Sequence, residues 1–313
     1  MTTLLLTHPS FKLHETPSGH PERVDRIRAV ERVLEGERFA SLRREEAPRV
    51  DRQSILTCHP ERHLAAIERA VPSEGFASVD SDTVMSPGSL EAALCGAGAA
   101  TRAVDAVLKG EAKNAFAAIR PPGHHAEHAT AMGFCFFNNA AIAARHAQSK
   151  FGVGRVAIID WDVHHGNGTQ DILWNDASIM YCSTHEMPLY PGTGARDERG
   201  DHDTIVNAPL NAGDGGEMFR DAFDHVILPR LTQFAPELII ISAGFDAHWR
   251  DPLANINLEE RDFSWATRRL MDIAEKHAGG RLVSLLEGGY DLEGLSRSVA
   301  AHVSALMGQG EAA

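Results

Sequence analysis

A few aspartates, histidines and one tyrosine of this chain stand at spacings that suit hydrolytic chemistry. Asp162 and His164 are two apart, and alternate residues of an extended chain face the same way. A carboxylate oxygen and an imidazole nitrogen would then meet at one point, with Asp246 as a third ligand from another strand end. Two aspartates and one histidine leave a coordination position open, as catalytic zinc requires, and the same donors accept Fe(II), Mn or Co. His124 and His125 are adjacent after a Pro-Pro-Gly turn. Such a pair is either one metal ligand and one bystander or two proton handlers, because imidazole titrates near neutrality. Asp160 can hold one ring and Asn167 the other. An Asp partner raises a histidine pKa and an Asn does not, so the two rings are expected to titrate differently. Tyr290 follows Glu287-Gly-Gly, where glycines let backbone approach a ligand closely, and its phenol can donate to an oxyanion.

Residues so far apart in sequence need a frame that gathers them. Short apolar runs at 4–6, 115–119, 156–159, 179–182, 238–242 and 282–286 read as buried strands, each followed by Gly, Pro, Asp or His. Helical patterns fill the intervals at 21–34, 60–70, 89–108, 138–149, 217–233, 258–277 and 292–307. This alternation implies one α/β domain over residues 1–313, with a mostly parallel sheet flanked by helices. Ligands bind beyond the carboxyl ends of the strands in such sheets. The polar clusters stand there: Arg120 to His125, Asp160 to His165, Gly244 to Asp246 and Glu287 to Tyr290.

Composition narrows the partners. Of 313 residues, 43% are hydrophobic and 23% charged, a globular balance with ample material for a core. The net charge of −13 argues against nucleic acid, which needs a basic face, and suits a cationic substrate. No run approaches a membrane span, and MTTLLLTHPS is not a signal peptide. Cys58, Cys95, Cys135 and Cys182 form no C-x-x-C pair and read as reduced thiols of a cytoplasmic protein. The tail after Met307 is expected to fray.

Seven stretches together resemble the histone deacetylase superfamily, its class II branch more than class I. They are HPER at 20–23, RPPGHHA at 120–126, GFCFFNN at 133–139, IDWDVHHGNGTQ at 159–170, LYPGTG at 189–194, GFDAHWRDPL at 244–253 and LEGGYDL at 286–292. The glutamate of LEGGY and the asparagine of HHGNG are the class II-like features. The resemblance spans almost the whole chain and implies an arginase/deacetylase-like domain with zinc at the base of a narrow tunnel. By motif position it makes Asp162, His164 and Asp246 the zinc ligands, His125 the general base and acid, His124 its electrostatic partner and Tyr290 the carbonyl-polarising phenol. Gly133, Phe134 and Tyr190 resemble the tunnel wall. Asp160, Asp162, His164, Ser183 and Thr184 resemble a structural potassium site.

Members of this family act on acetylated lysine in proteins or peptides, or on acetylated polyamines. Polyamine-preferring members carry an acidic gatekeeper seven residues after the third zinc ligand; Leu253 stands there and favours a neutral acyl-lysine chain. Asp80 and Asp82 are both candidates to grip a substrate backbone. Loops near 9–19 and 80–88 are candidates to pair subunits as a homo-oligomer. A binuclear manganese ureohydrolase would need a second set of bridging carboxylates, and a non-catalytic acyl-lysine reader would carry a broken ligand set; neither mark is present.

Overall fold

The computed structural model describes residues 2–310. Its ten strands are β1 (Thr3–Thr7), β2 (Arg43–Glu46), β3 (Ala77–Ser78), β4 (Val84–Met85), β5 (Asn114–Ala117), β6 (Val156–Asp160), β7 (Ile179–Glu186), β8 (Ile205–Leu210), β9 (Leu238–Ala243) and β10 (Leu282–Leu286). Eight form one sheet in the order β2-β1-β5-β10-β9-β6-β7-β8, with parallel pairing throughout. β3 and β4 make a separate antiparallel pair. The helices are α1 (Val24–Leu34), α2 (Arg52–Leu56), α3 (Glu61–Ala70), α4 (Ser89–Leu108), α5 (Asn139–Phe151), α6 (Asn167–Leu173), α7 (Gly216–Ala222), α8 (Leu228–Phe234), α9 (Glu260–His277) and α10 (Leu292–Leu306).

β5, β6, β9 and β10 are buried along their whole length, which is why they read as unbroken apolar runs. They are also the four central neighbours of the sheet, so the four polar clusters that follow them emerge side by side at one edge. α4 is Ala- and Gly-rich and buried almost all round.

The edges differ from the sequence expectation. β2 is Arg-Arg-Glu-Glu, mostly exposed, and pairs only with β1, as a charged edge strand does. β8 carries Pro209 and borders only β7, the place where a strand proline is tolerated. The helix expected over 217–233 is interrupted by a π-helical turn at Phe223–Ile227, just before Pro229, whose missing N–H and ring disrupt the preceding hydrogen bonds. The chain end also departs from expectation. Gln309 exchanges hydrogen bonds with Arg38 and accepts one from Arg268 through its carbonyl, so Gly308–Gly310 is tied down. The expected fraying of 311–313 lies outside the described residues.

Candidate active site

β6 ends at Asp160, so Asp162 and His164 do not stand on a strand as their spacing suggested. A different device brings them together. The His164 backbone N–H donates to Asp162 Oδ1 at 3.0 Å, a tight local turn that sets His164 Nδ1 3.1 Å from the same oxygen. From the end of β9, Asp246 Oδ2 reaches to 3.2 Å from His164 Nδ1. The three ligating atoms lie within 4.8 Å of one another, and all three residues are buried. Among the described residues this is the one such grouping of three His, Cys, Asp or Glu side chains.

The cluster is built to receive a divalent cation. Asp162 Oδ2 accepts from Gly288 N at 2.8 Å and Asp246 Oδ1 from Val163 N at 2.8 Å, which aims each carboxylate. Apart from the 3.2 Å approach of His164 Nδ1, which is turned to Asp162, Asp246 Oδ2 is buried without a hydrogen-bond partner. Burial and repulsion from Asp162 push Asp246 up to about 7. A cation between the carboxylates removes that repulsion and satisfies the orphaned oxygen. Gly288 is required here, because a Cβ on it would fall 2.2 Å from Asp246 Oδ2.

Beside the cluster sit two histidines of opposite preference. Their ring centroids are 4.0 Å apart. His124 Nδ1 donates to Asp160 Oδ2 at 3.0 Å, and Tyr181 donates to the same oxygen at 3.0 Å. Burial opposes charge on His124, but Asp162 and Asp160 outweigh it and hold the ring well above its ordinary value. His125 Nδ1 donates to Asn167 Oδ1 at 2.7 Å. Burial, then the neighbouring His124 and His164, push His125 well below its ordinary value. The structure therefore settles the pairing that sequence left open: Asp160 goes with His124 and Asn167 with His125. Asn167 is the first residue of α6, a short helix hidden in a glycine-rich motif that reads as loop.

Tyr290 is 9% exposed. Its ring lies between Phe134 (centroids 5.9 Å) and the Arg26 guanidinium (5.0 Å). Its backbone N–H donates to Asp251 Oδ2 at 2.7 Å. Burial keeps the phenol protonated, well above its ordinary value. Phe134 and Tyr190 both approach this centre, Tyr190 with its ring 5.2 Å from that of His125. Gly133 and Phe134 have φ of 56° and 68°, unusual for phenylalanine. Two side chains hold that kink: Asp82 Oδ1 accepts from Gly133 N and Thr83 Oγ1 accepts from Phe134 N, each at 3.0 Å. Asp82 also raises the Tyr190 phenol after burial has done so. Asp82, more than Asp80, therefore stands at this wall. Leu253 is 36% exposed and bonds through its N–H to Asp251 Oδ1 at 3.0 Å. Ser183 stands opposite Asp160 in the β6–β7 ladder; Ser183 and Thr184 are buried, and Ser183 Oγ bonds His185 Nδ1 at 2.8 Å.

Two supporting residues, Arg26 and Asp251, were not singled out from sequence, and Glu287 was named there only as part of its motif. Arg26 is buried and donates to the carbonyls of Gly289 (2.6 Å) and Glu287 (2.5 Å), fixing the turn that carries Tyr290. Glu287 Oε2 accepts from Gly123 N at 2.6 Å and His124 N at 3.2 Å, tying the β10 end to the histidine loop. Asp251 caps the Tyr290 turn. Arg26 lies three residues after HPER and Glu287 begins EGGY, but nothing in sequence says that these segments touch.

A parallel sheet that delivers buried acids, bases and a phenol to one edge suits hydrolytic chemistry. Comparison with known proteins makes the class specific. A family model for the histone deacetylase domain matches residues 20–306. A probable deacetylase of Archaeoglobus fulgidus is 41% identical over 94% of this chain and 83% of its own length. A histone deacetylase-like amidohydrolase of Pseudomonas aeruginosa is 41% identical over 87% of this chain and 73% of its own. The crystal structure of the HDA15 HD domain superposes with a TM-score of 0.94 at 37% identity, covering 98% of this chain and 88% of that one. The chain belongs to the histone deacetylase family, and the protein is an enzyme of the deacetylase and amidohydrolase kind. Among the described residues no helix is long and apolar enough to cross a membrane, and the four cysteines are free and buried.

Proposed function

We propose that this protein is a zinc-dependent deacetylase of acetyl-lysine in proteins or peptides, releasing acetate and a free amine. The observation that carries the reading is one three-ligand cluster flanked by two histidines of opposite charge preference. Asp162, His164 and Asp246 would hold a single zinc ion, which when bound supplies Lewis acidity to water and to the amide carbonyl. His125 is neutral and takes the proton of the attacking water. Tyr290, a buried protonated phenol, donates to the oxyanion that forms on the acetyl carbon. His124, held by Asp160, sits beside it as the electrostatic partner of the developing negative charge. His125 then returns its proton to the leaving nitrogen, and the amide C–N bond breaks.

Gly133, Phe134 and Tyr190 form the wall that grips the alkyl stem of the substrate, and Asp82 is the acidic group offered to its backbone. Asp160, Asp162, His164, Ser183 and Thr184 would hold a structural potassium ion at the β6–β7 end. Buried free thiols suit the reducing cytoplasm. Leu253, neutral at the position that would discriminate, favours acetyl-lysine over an acetylated polyamine. Zinc-loaded protein offered an acetyl-lysine peptide and an acetylated polyamine side by side tests this. Faster turnover of the peptide, with Tyr290→Phe slower by about a hundredfold, is expected. Faster turnover of the polyamine overturns the substrate choice. No acetate from either, with Tyr290→Phe indistinguishable from wild type, overturns the catalytic reading.

A further inference from the structure

The loop that continues from His125 carries a carboxylate with no place in the mechanism above. Glu127 is half-buried, and its Oε1 accepts from Asn167 Nδ2 at 2.8 Å. The sulfur of Met132 lies 3.3 Å from the same nitrogen. On the opposite side of the amide, Asn167 Oδ1 lies 2.7 Å from His125 Nδ1. The Glu127 loop is itself anchored: Glu127 N donates to Thr130 O at 2.9 Å and His128 N to Asp171 Oδ2 at 2.9 Å.

The orientation of an asparagine amide is decided by its neighbours. A carboxylate and a thioether sulfur only accept, so the NH2 of Asn167 must face Glu127 and Met132. Its oxygen must then face His125. A carbonyl oxygen also only accepts, so the proton of neutral His125 sits on Nδ1 and the lone pair on Nε2. Among the described residues Nε2 makes no hydrogen bond to the protein. Were the amide turned over, its NH2 would meet Nδ1, the proton would move to Nε2, and the ring would have no base to offer. His124 has no such requirement, because both oxygens of its partner Asp160 are acceptors.

We propose that Glu127 is a positioning residue that fixes the basic tautomer of His125 by locking the amide of Asn167. The proposal rests on the deacetylase reading, but it fails separately. If wild-type protein releases no acetate, that reading falls; if it does, the variants below decide the role of Glu127. Glu127→Ala is expected to lower kcat by about tenfold with KM little changed, at an unaltered thermal midpoint. Glu127→Gln keeps an acceptor oxygen and is expected to restore most of the rate. Asn167→Asp provides the decisive background. A carboxylate at 167 accepts from Nδ1 whichever oxygen faces it, so adding Glu127→Ala there should cause no further fall in kcat. An equal fall in both backgrounds overturns the proposal, as does no fall in wild type, a loss carried by KM, or a loss that tracks a lowered thermal midpoint.

Discussion

His302 and His125 are both buried imidazoles driven toward the neutral form, and they serve opposite ends. His302 lies on α10 under the sheet, its ring against Trp161 (5.4 Å), Phe116 (5.6 Å) and Phe245 (5.8 Å). Both of its nitrogens are filled, Nδ1 by Thr267 Oγ1 at 2.6 Å and Nε2 by Ser284 Oγ at 2.8 Å. Burial pushes it down to about 3. His125 is filled on one side only, by Asn167, and its ring lies 6.0 Å from that of His164. Burial makes an imidazole neutral in either place. A base arises only where one nitrogen is left free beside groups that need a proton moved.

Exchanging each ring for alanine sharpens that contrast most. His125→Ala is expected to lower kcat by about a thousandfold while the thermal midpoint holds. His302→Ala should do the reverse: it opens a cavity and strands the buried Ser284 hydroxyl, while Thr267 keeps its bond to the Phe263 carbonyl, costing about 2–5 kcal/mol of stability with kcat per folded molecule unchanged. Stability by urea unfolding and turnover on the same samples check both. A His302→Ala protein that stays stable but inactive breaks the comparison.

A smaller loss is expected at the wall beside His125. A Cβ on Gly133 would fall 2.3 Å from His125 Cδ2, and φ is already 56°. Gly133→Ala must displace the base, and kcat should fall by about a hundredfold. The same substitution at Gly110, whose φ is also positive but which faces open space, should leave kcat alone. Steady-state kinetics of the two variants separate displacement of the base from general backbone strain.

The smallest effect is a pH slope. His302 has a folded pKa of about 3 against 6.5 for a free ring, and His59 and His165 are likewise pushed down to about 3 by burial first. The unfolded chain therefore takes up protons first as pH falls. Their contribution is complete above about 6.5 and is lost from there toward about 3, each fully titrating group removing about 1.4 kcal/mol per pH unit. Wild type should lose stability relative to His302→Gln, read as urea midpoints, as pH falls from 7 to 5, because only wild type carries this depressed imidazole. A gain of wild type over the variant across that window contradicts the sign.

Sequence made the central strands legible because burial on both faces leaves a continuous apolar run with a polar stop. It also named the residues that the structure gathers at the sheet edge, since each follows such a stop. What it missed depended on contacts between distant segments. Arg26 acts on the carbonyls of Glu287 and Gly289 across the fold, and no periodicity reports that. β2 and β8 are edge strands, where charge and proline hide the strand signal. The Asp162–His164 pair shows a correct grouping reached through the wrong geometry: a side-chain-to-backbone turn does what strand alternation was expected to do.

The most direct test of the account counts metal and acetate on one sample. Chelator-stripped protein is titrated with zinc while bound metal per chain and acetate released from an acetyl-lysine peptide are measured together. Acetate release should return with zinc and saturate at one ion per chain, with Asp246→Ala retaining no ion and releasing no acetate. Saturation only at two ions per chain, or release that survives stripping, would contradict a single-ion centre served by His125 and Tyr290.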